Sequence, residues 1–426
     1  MRSPGHGHRR RQTLTFKHGN QPMRITLSLL CLLAMASFVS ADWRQFRGDD
    51  TTGSSSSCQL PDNWTADGEN VAWKVELPGR GPSSPIVVDG KVIVTTADGA
   101  DLEQLHILCY SAADGKKLWQ RNFWATGRTF CHPQTTPAAP SPVSDGKNVY
   151  AFFGSSDLVC LDLDGNLKWY RGLGYEHPKA GNDVGMASSP IVIDDTIVVQ
   201  IENQGDSFAA GINAENGQTR WFLPRAEKAN WASPIALKAV NSGDESVALL
   251  QSSDGVTAVS SKSGVVLWEL GGGASTISTS LTTGEQAFVV SKGLTVLDLK
   301  DPRVKPEIVW EANKLNPSSM SPILHDGKVY TINGTGVLNC GNAETGDLEW
   351  GLRLKGKFWA TPVIAGQKLI AINYDGLAMI VDLSGKKGEI VEEIEMGENV
   401  QATPALGDDA MYIKGERHLW KIANKQ

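Results

Sequence analysis

"SPIVVDGKVI", Ser84 to Ile93, and "SPILHDGKVY", Ser321 to Tyr330, are near copies of one short pattern. In each copy a Ser-Pro pair precedes a short run, an Asp-Gly pair follows, and a second apolar run begins. An Asp-Gly pair between two such runs is a strong signal for a β-hairpin with a two-residue turn. Proline lacks an N–H and is tolerated at the first residue of a strand. Each stretch therefore predicts a hairpin whose first strand begins at the proline.

The Ser/Thr-Pro pair recurs along the chain. Its copies are Ser84-Pro85, Ser141-Pro142, Ser189-Pro190, Ser233-Pro234, Ser321-Pro322, Thr361-Pro362 and Thr403-Pro404. The steps between successive prolines are 57, 48, 44, 88, 40 and 42 residues. Because 88 is twice 44, one unit has lost its proline, near Ser278. A period of this length is typical of propeller blades.

A second mark recurs downstream of each hairpin: a Gly, three residues, then a Trp. It ends at Trp119, Trp169, Trp221, Trp268 and Trp350, and Trp310 closes the proline-less unit without the Gly. Each unit thus contains four short strands separated by turns, which matches one four-stranded blade. A Trp at the end of a blade can bury a large apolar area against its neighbour. We assign these tryptophans to blade docking, not to catalysis.

The pattern gives eight units, and the eighth begins at Thr403 and reaches the chain end after about three strands. The stretch "NVAWKVEL", Asn70 to Leu77, carries Trp73 and supplies a fourth strand from the other end. This pairing would join the ends of the ring and remove an open sheet edge. We therefore predict an all-β, eight-bladed β-propeller of four-stranded antiparallel blades, in a single domain of residues 70–426. Residues 42–69 form an N-terminal extension.

The N-terminus has the pattern of an export signal. Arg24 precedes the apolar run Ile25 to Val39, and small residues then predict cleavage before Asp42. Residues 1–41 are accordingly assigned to a signal peptide, with Met23 as an alternative start. The mature chain is expected in the periplasm or outside the cell, with no transmembrane span after signal removal.

Composition narrows the partners and the redox chemistry. The net charge is -7 and no segment of the mature chain concentrates Lys or Arg, which argues against nucleic-acid binding. After signal removal five cysteines remain, without a Cys-x-x-Cys or an adjacent pair. Cys58 and Cys131 lie in loop-like segments and are candidates for a disulfide in an oxidising compartment.

The units resemble the pyrroloquinoline quinone (PQQ) repeat, whose tryptophan-docking motif is similar to "NAETGDLEW", Asn342 to Trp350. The segment "DWRQFRGDDTTG", Asp42 to Gly53, also resembles a segment ahead of the propeller in some secreted bacterial PQQ-like proteins. The resemblance covers roughly residues 70–426, nearly the whole mature chain.

The resemblance implies one of two functions. Quinoprotein dehydrogenases bind PQQ and Ca²⁺ and oxidise alcohols or sugars, typically with a vicinal Cys-Cys disulfide that this sequence lacks. Other propellers of the class are non-catalytic scaffolds, such as the propeller lipoprotein of the bacterial outer-membrane barrel-assembly machinery. Since fold does not fix function, both remain open. We expect a monomeric binding or scaffold protein with an envelope protein or peptide partner and no cofactor, and the alternative is a PQQ- and Ca²⁺-dependent dehydrogenase.

The loops before each proline are the candidate functional surface, because they gather around the channel on one face. The rim residues that we select are Arg128, His132, His177, Asp183, Lys228, Trp231 and Trp359. Their aromatic and cationic groups suit an anionic or planar ligand. The alternative is that long surface loops collect polar residues and that the histidines serve loop hydrogen bonds. We assign no metal site, because the histidines and acids of these loops have no recognised ligand spacing.

Overall fold

The computed structural model describes residues 12–15, 42–238 and 245–424. The chain divides into two units, Met1–Val39 and Ser40–Gln426, and the second carries every strand given below. The predicted signal peptide lies outside the described residues, apart from residues 12–15. Across the described ranges, no helix is long and apolar enough to cross a bilayer.

Strands dominate the second unit. Two precede the first blade, β1 (Ser54–Ser55) and β2 (Val71–Glu76). The first four blades are formed by β3 (Ile86–Val88), β4 (Lys91–Asp98), β5 (Gln104–Ser111), β6 (Lys117–Trp124); β7 (Val143–Ser144), β8 (Asn148–Phe152), β9 (Asp157–Asp162), β10 (Leu167–Gly172); β11 (Ile191–Ile193), β12 (Thr196–Ile201), β13 (Phe208–Asn213), β14 (Thr219–Pro224); β15 (Ile235–Leu237), β16 (Val247–Ser252), β17 (Gly255–Ser260) and β18 (Val266–Leu270). The short helix α1 (Leu173–Glu176) follows β10.

The remaining blades continue the same order. They are formed by β19 (Leu281–Thr282), β20 (Gln286–Ser291), β21 (Gly293–Asp298), β22 (Ile308–Ala312); β23 (Ile323–His325), β24 (Lys328–Ile332), β25 (Val337–Asn342), β26 (Leu348–Arg353); β27 (Val363–Ala365), β28 (Lys368–Ile372), β29 (Leu377–Asp382), β30 (Glu389–Glu395); β31 (Ala405–Gly407), β32 (Ala410–Lys414) and β33 (His418–Ala423).

These strands form eight sheets, so the predicted all-β, eight-bladed propeller is confirmed. Consecutive strands within each blade pair antiparallel. The first strands of most neighbouring blades contact one another around the centre. The first three strands of each blade are largely buried, whereas the fourth alternates between exposed and buried residues. The core therefore lies between blades, and the fourth strands form the outer circumference.

The hairpins that recur in the sequence have the expected local geometry. Asp89 and Gly90 both have positive φ, 48° and 67°, and Val88 pairs with Lys91 across them. Asp326 and Gly327 repeat this in the sixth blade, with φ of 46° and 70°. Positive φ at both central residues defines the turn whose twist matches two antiparallel strands.

The repeated tryptophans dock each blade on the next. The indole N–H of Trp221 donates to the carbonyl of Ser261 at 2.9 Å, and its ring covers Gly264 of the following blade. The corresponding indole N–H bonds of the other blades run from Trp73 to Ala112, Trp119 to Leu163, Trp169 to Ala214, Trp268 to Pro302 and Trp310 to Ala343. The ring of Trp350 packs against Gly388 of the seventh blade. Each Gly of the motif thus receives the Trp of the preceding blade.

The eighth sheet combines the two ends of the propeller chain. β2 pairs antiparallel with β33, from Val71 opposite Ile422 to Glu76 opposite His418. Across the seam with the first blade, the buried ammonium of Lys414 donates to Gly81 O, Thr95 O and Ser83 Oγ at 2.6 to 2.8 Å. Because these acceptors are neutral, burial lowers the pKa of Lys414 to about 7.

The candidate disulfide is not formed, because the five cysteines within the described residues are free thiols. Cys58 is buried with its Sγ 3.9 Å from the carbonyl of Ala410, whereas Cys131 contacts the carbonyl of Thr135 at 3.6 Å. Each thiol is thus engaged in a different part of the fold.

Replacing Gly264 by Ala tests the docking of Trp221. Gly264 has φ of 70°, and a Cβ there would lie 2.6 Å from the indole ring. Gly90→Ala is the matched control, since Gly90 has φ of 67° with open space around it. Both substitutions strain the backbone, but only in G264A must the indole ring also move. We therefore expect G264A to lower the free energy of unfolding by about 1 to 3 kcal/mol more than its control. Equal losses in denaturant unfolding would contradict the docking role.

Because the pKa of Lys414 is lowered by burial, the stability of the fold should depend on pH. Between pH 7 and 10 the unfolded chain retains a proton on Lys414 that the folded protein releases. The free energy of unfolding should therefore rise with pH in this window, by at most about 1.4 kcal/mol per unit. Denaturant unfolding of Lys414→Met should lack this component, and Lys168→Met, at an exposed lysine, should retain it. Parallel pH profiles for wild type and K414M would disprove the assignment.

Candidate functional site

A belt of hydroxyl groups lines the mouth of the channel. In the first seven blades, the Ser or Thr before the inner strand donates its backbone N–H to the side-chain oxygen of the equivalent residue in the next blade, at 2.9 to 3.0 Å. The bonds run in order through Ser84, Ser141, Ser189, Ser233, Thr279, Ser321, Thr361 and Thr403. These eight residues are called the belt. The Ser/Thr of the repeated pair therefore joins the blades at the centre of the ring.

The unit without proline has one additional buried backbone N–H, which proline removes in the other blades. Its belt residue is Thr279, and Ser280 stands where the other blades have proline. The N–H of Ser280 donates to Gln251 Oε1 at 3.1 Å, and its hydroxyl donates to the same oxygen. The additional buried N–H is thus satisfied by a glutamine of the preceding blade, as a buried donor requires.

Residues 42–59 of the extension line the inner strands directly behind the belt. Trp43 bridges Val87 of the first blade, and the carbonyl of Thr52 accepts from Leu324 N–H at 3.1 Å in the sixth. β1 pairs parallel with β27 and contacts β23, so it lies between the sixth and seventh blades. Gln59 N–H reaches Asp409 of the eighth blade at 2.9 Å. This segment therefore runs along much of the ring.

Arg47 of this segment is a buried cation, only 2% exposed. Its guanidinium donates to Ser280 O at 2.6 Å and to Pro322 O at 3.3 Å, both one residue beyond the belt. Within the described ranges no carboxylate forms an ion pair with it, and its Nε has no hydrogen-bond partner. Burial lowers the pKa of Arg47 to about 9, which the charge of Asp50 only partly offsets. The guanidinium remains protonated at neutral pH.

The rim pocket is an open cavity of about 470 Å³ above the belt. Apolar atoms form most of its surface. The apolar side chains of the wall include Val184, Met186, Trp231, Ile277 and Trp359, and Phe46 contributes from the N-terminal segment. Its polar lining consists of the eight belt residues together with Ser319, His132, Gln134, Thr135 and Gln401. Asp, Glu, Lys and Arg are not among its lining residues. The pocket wall therefore carries no carboxylate, ammonium or guanidinium group.

Two of the selected residues hold the long loops together beside the pocket. Arg128 and Asp183 form an exposed ion pair at 2.6 Å, and neither lines the cavity. The backbone N–H of His132 donates to Val184 O at 3.3 Å, and His132 does line the cavity. The indole of Trp231 donates to Gly185 O at 2.7 Å, whereas Trp359 is 46% exposed at the mouth.

His177 and Lys228 lie elsewhere. The imidazole of His177 packs against Phe208 and Phe222, with ring centroids 4.4 and 5.4 Å apart. Lys228 pairs with Asp254 at 2.6 Å in a separate polar cleft of about 300 Å³, beside the buried pair of Arg225 and Glu202. The selected residues therefore divide: His132, Trp231 and Trp359 share the rim pocket, and the others do not line it.

Sequence reasoning missed the pocket floor. Phe46 and Arg47 belong to the motif Trp-x-Gln-Phe-Arg-Gly, and nothing in the sequence of this motif indicates a contact with the channel. The Ser/Thr of the repeat marks the start of each blade, but its spacing does not indicate what its hydroxyl contacts. The one available signal was that Ser or Thr, and no other residue, precedes the proline in every copy.

The pocket does not offer the ligands that a Ca²⁺–PQQ centre requires. Ca²⁺ takes six to eight oxygen ligands, among them carboxylates, and the pocket wall has none. In the part of the chain that the structure describes, three or more His, Cys, Asp or Glu side chains nowhere gather as a metal site would need. The residues present thus do not fit this cofactor with its metal.

The fold and the belt define an eight-bladed propeller of the PQQ-like repeat class. The sequence model of one family in this class, described as outer membrane protein assembly factor BamB, matches residues 63–210, 179–304 and 304–421. These matches cover most of the chain, and the protein therefore belongs to this family.

Individual relatives agree with the class. The outer membrane protein assembly factor BamB of Moranella endobia (strain PCIT) is 27% identical over 180 residues, and the match spans 41% of each chain. BamB from Moraxella catarrhalis has a TM-score of 0.62 at 16% identity, over 84% of this chain and 98% of its own. A quinohemoprotein alcohol dehydrogenase from Comamonas testosteroni has a TM-score of 0.66 at 12% identity, over 91% of this chain and 81% of its own. At these identities the two structures show the shared fold alone.

Proposed function

We propose that the protein is a non-catalytic binding or scaffold protein of the cell envelope, acting in outer membrane protein assembly through the rim pocket. The observation that carries this proposal is the lining of the pocket. Its wall combines Trp231 and Trp359 with aliphatic side chains, and it contains no carboxylate or lysine that a catalytic centre would use as base or metal ligand.

The mouth of the pocket has the properties of a protein-binding surface. Trp359, Val184 and Ile277 are 46%, 45% and 42% exposed, although each is apolar. Grouped exposed apolar side chains with a polar surround are typical of interaction sites, and tryptophan is enriched among the residues that dominate binding energy. An envelope protein that inserts an apolar side chain between Trp231 and Trp359 would cover them.

Family membership supports the location and the partner class. The family and its curated relative are described as outer membrane protein assembly factors. Together with the predicted signal peptide, this favours an exported protein that faces the periplasm and contacts protein partners. That it acts as a monomer is part of the proposal. A net charge of -7 gives no support to nucleic acid as a partner.

The alternative is a PQQ- and Ca²⁺-dependent dehydrogenase. It is favoured by fold neighbours described as a europium-containing methanol dehydrogenase and a quinohemoprotein alcohol dehydrogenase. Against it stands the absence of carboxylates from the pocket wall, since such an enzyme needs both Ca²⁺ ligands and a general base.

A titration with PQQ and Ca²⁺, followed by a dye-reduction assay with alcohols and aldoses, separates the two functions. We expect no Ca²⁺-dependent binding and no turnover, because the pocket wall lacks carboxylates. Stoichiometric, Ca²⁺-dependent binding with substrate turnover would overturn the scaffold proposal.

A cross-linking experiment in envelope extracts tests the binding surface. Wild-type protein should enrich outer-membrane assembly proteins, and Trp359→Ala should lose at least tenfold of this enrichment because it removes the exposed wall of the pocket. The control is Trp124→Ala, since Trp124 is 67% exposed and does not line the pocket. An equal effect of the two substitutions would count against the rim pocket.

A further inference from the structure

The hydroxyl groups of the belt have protons that are not used in hydrogen bonds within the described residues. Seven of its eight hydroxyl oxygens accept a backbone N–H from the preceding blade. Each Ser or Thr hydroxyl also carries one proton that it can donate. In the described ranges, none of the eight hydroxyls donates to a protein acceptor, although all are at least nine-tenths buried and all line the rim pocket. Their protons are therefore free to point into the cavity.

A positive charge lies directly behind this ring of donors. Arg47 binds the carbonyls of Ser280 and Pro322, which follow the belt residues Thr279 and Ser321 in the chain. Its neighbour Phe46 forms part of the pocket lining. The charge of Asp50 offsets that of Arg47 only in part. Because burial limits screening by water, the remaining positive field extends towards the pocket. The base of the pocket is thus electropositive.

A buried cation of this kind favours an anion above it. Moving a charge away from water is unfavourable unless a counter-charge or hydrogen bonds replace the solvent. The wall has no carboxylate that would repel an entering anion. The belt offers more O–H donors than the roughly four hydrogen bonds that a carboxylate accepts. Above the belt, Trp231 and Trp359 provide an apolar surface for the rest of the ligand.

We propose that the rim pocket binds an organic carboxylate, with the carboxylate at the belt above Arg47 and an apolar or aromatic body between Trp231 and Trp359. This inference rests on the proposed function, because it specifies the chemistry that the same pocket selects in its ligand. The volume of about 470 Å³ accommodates such a body. The carboxylate belongs either to a small molecule or to the end of a peptide chain.

The test compares acids with their uncharged amides. 3-Phenylpropanoate and 3-phenylpropanamide have the same size and the same aromatic ring, and titration calorimetry with quenching of tryptophan fluorescence measures both. We expect the acid to bind at least tenfold more tightly at low salt, with the difference shrinking as salt is raised. The dipeptide acetyl-Ala-Phe, as free acid and as amide, distinguishes a chain terminus from a small molecule. Equal affinity within both acid and amide pairs would overturn the proposal.

Variants locate the charge. Arg47→Met should bring the affinity for the acid down to that for the amide and leave the amide unchanged, whereas Trp359→Ala should weaken both. If R47M does not fold, the affinities of wild-type protein for the acid and the amide at two salt concentrations still test whether the pocket prefers a carboxylate. A preference for the acid that survives in folded R47M would overturn the role of Arg47. Failure of acid selectivity would leave the cross-linking result for Trp359→Ala intact, so the two proposals fail separately.

Discussion

The hydrogen bond from the backbone N–H of one belt residue to the hydroxyl of the next is the contact on which the ring depends. It occurs where neighbouring blades come closest to the channel, and Ser84 and Ser141 illustrate it at 2.9 Å. A buried N–H at this place requires an acceptor, which the next blade supplies. Proline after the belt residue removes the adjacent N–H. In the fifth blade, where Ser280 replaces proline, Gln251 accepts that hydrogen instead.

Two further contacts join the blades. One is the docking of tryptophans near the outer edge, and the other lies where the eighth blade meets the first. Each docking Trp packs on the following blade, and all but Trp268 cover a glycine there, as Trp221 and Gly264 show. At the seam, β2 supplies the fourth strand of the eighth sheet, and Lys414 reaches acceptors of the first blade. Closure matters because an unpaired strand edge is a template for aggregation.

The candidate functional surface lies in the parts that the repeat leaves free. The repeat fixes the belt and the docking Trp, whereas the residues just before the belt differ from blade to blade, and they form the rim pocket. Propellers described as alcohol dehydrogenases share this fold with propellers described as assembly factors. The chemistry of the lining therefore carries the functional argument, and here it consists of apolar side chains and hydroxyls around a buried cation.

The sequence by itself determined the blades, because their signals are local: Asp-Gly turns, alternating strands and a regular Gly-x-x-x-Trp spacing act within a few residues. It also placed Trp231 and Trp359 near one rim, since both stand three residues before a proline. Only the tertiary structure decided that His177 packs on Phe208 and that Arg47 lies beneath the belt. The bond from Arg47 to Pro322 joins residues 275 positions apart, and no local pattern specifies a contact at that separation.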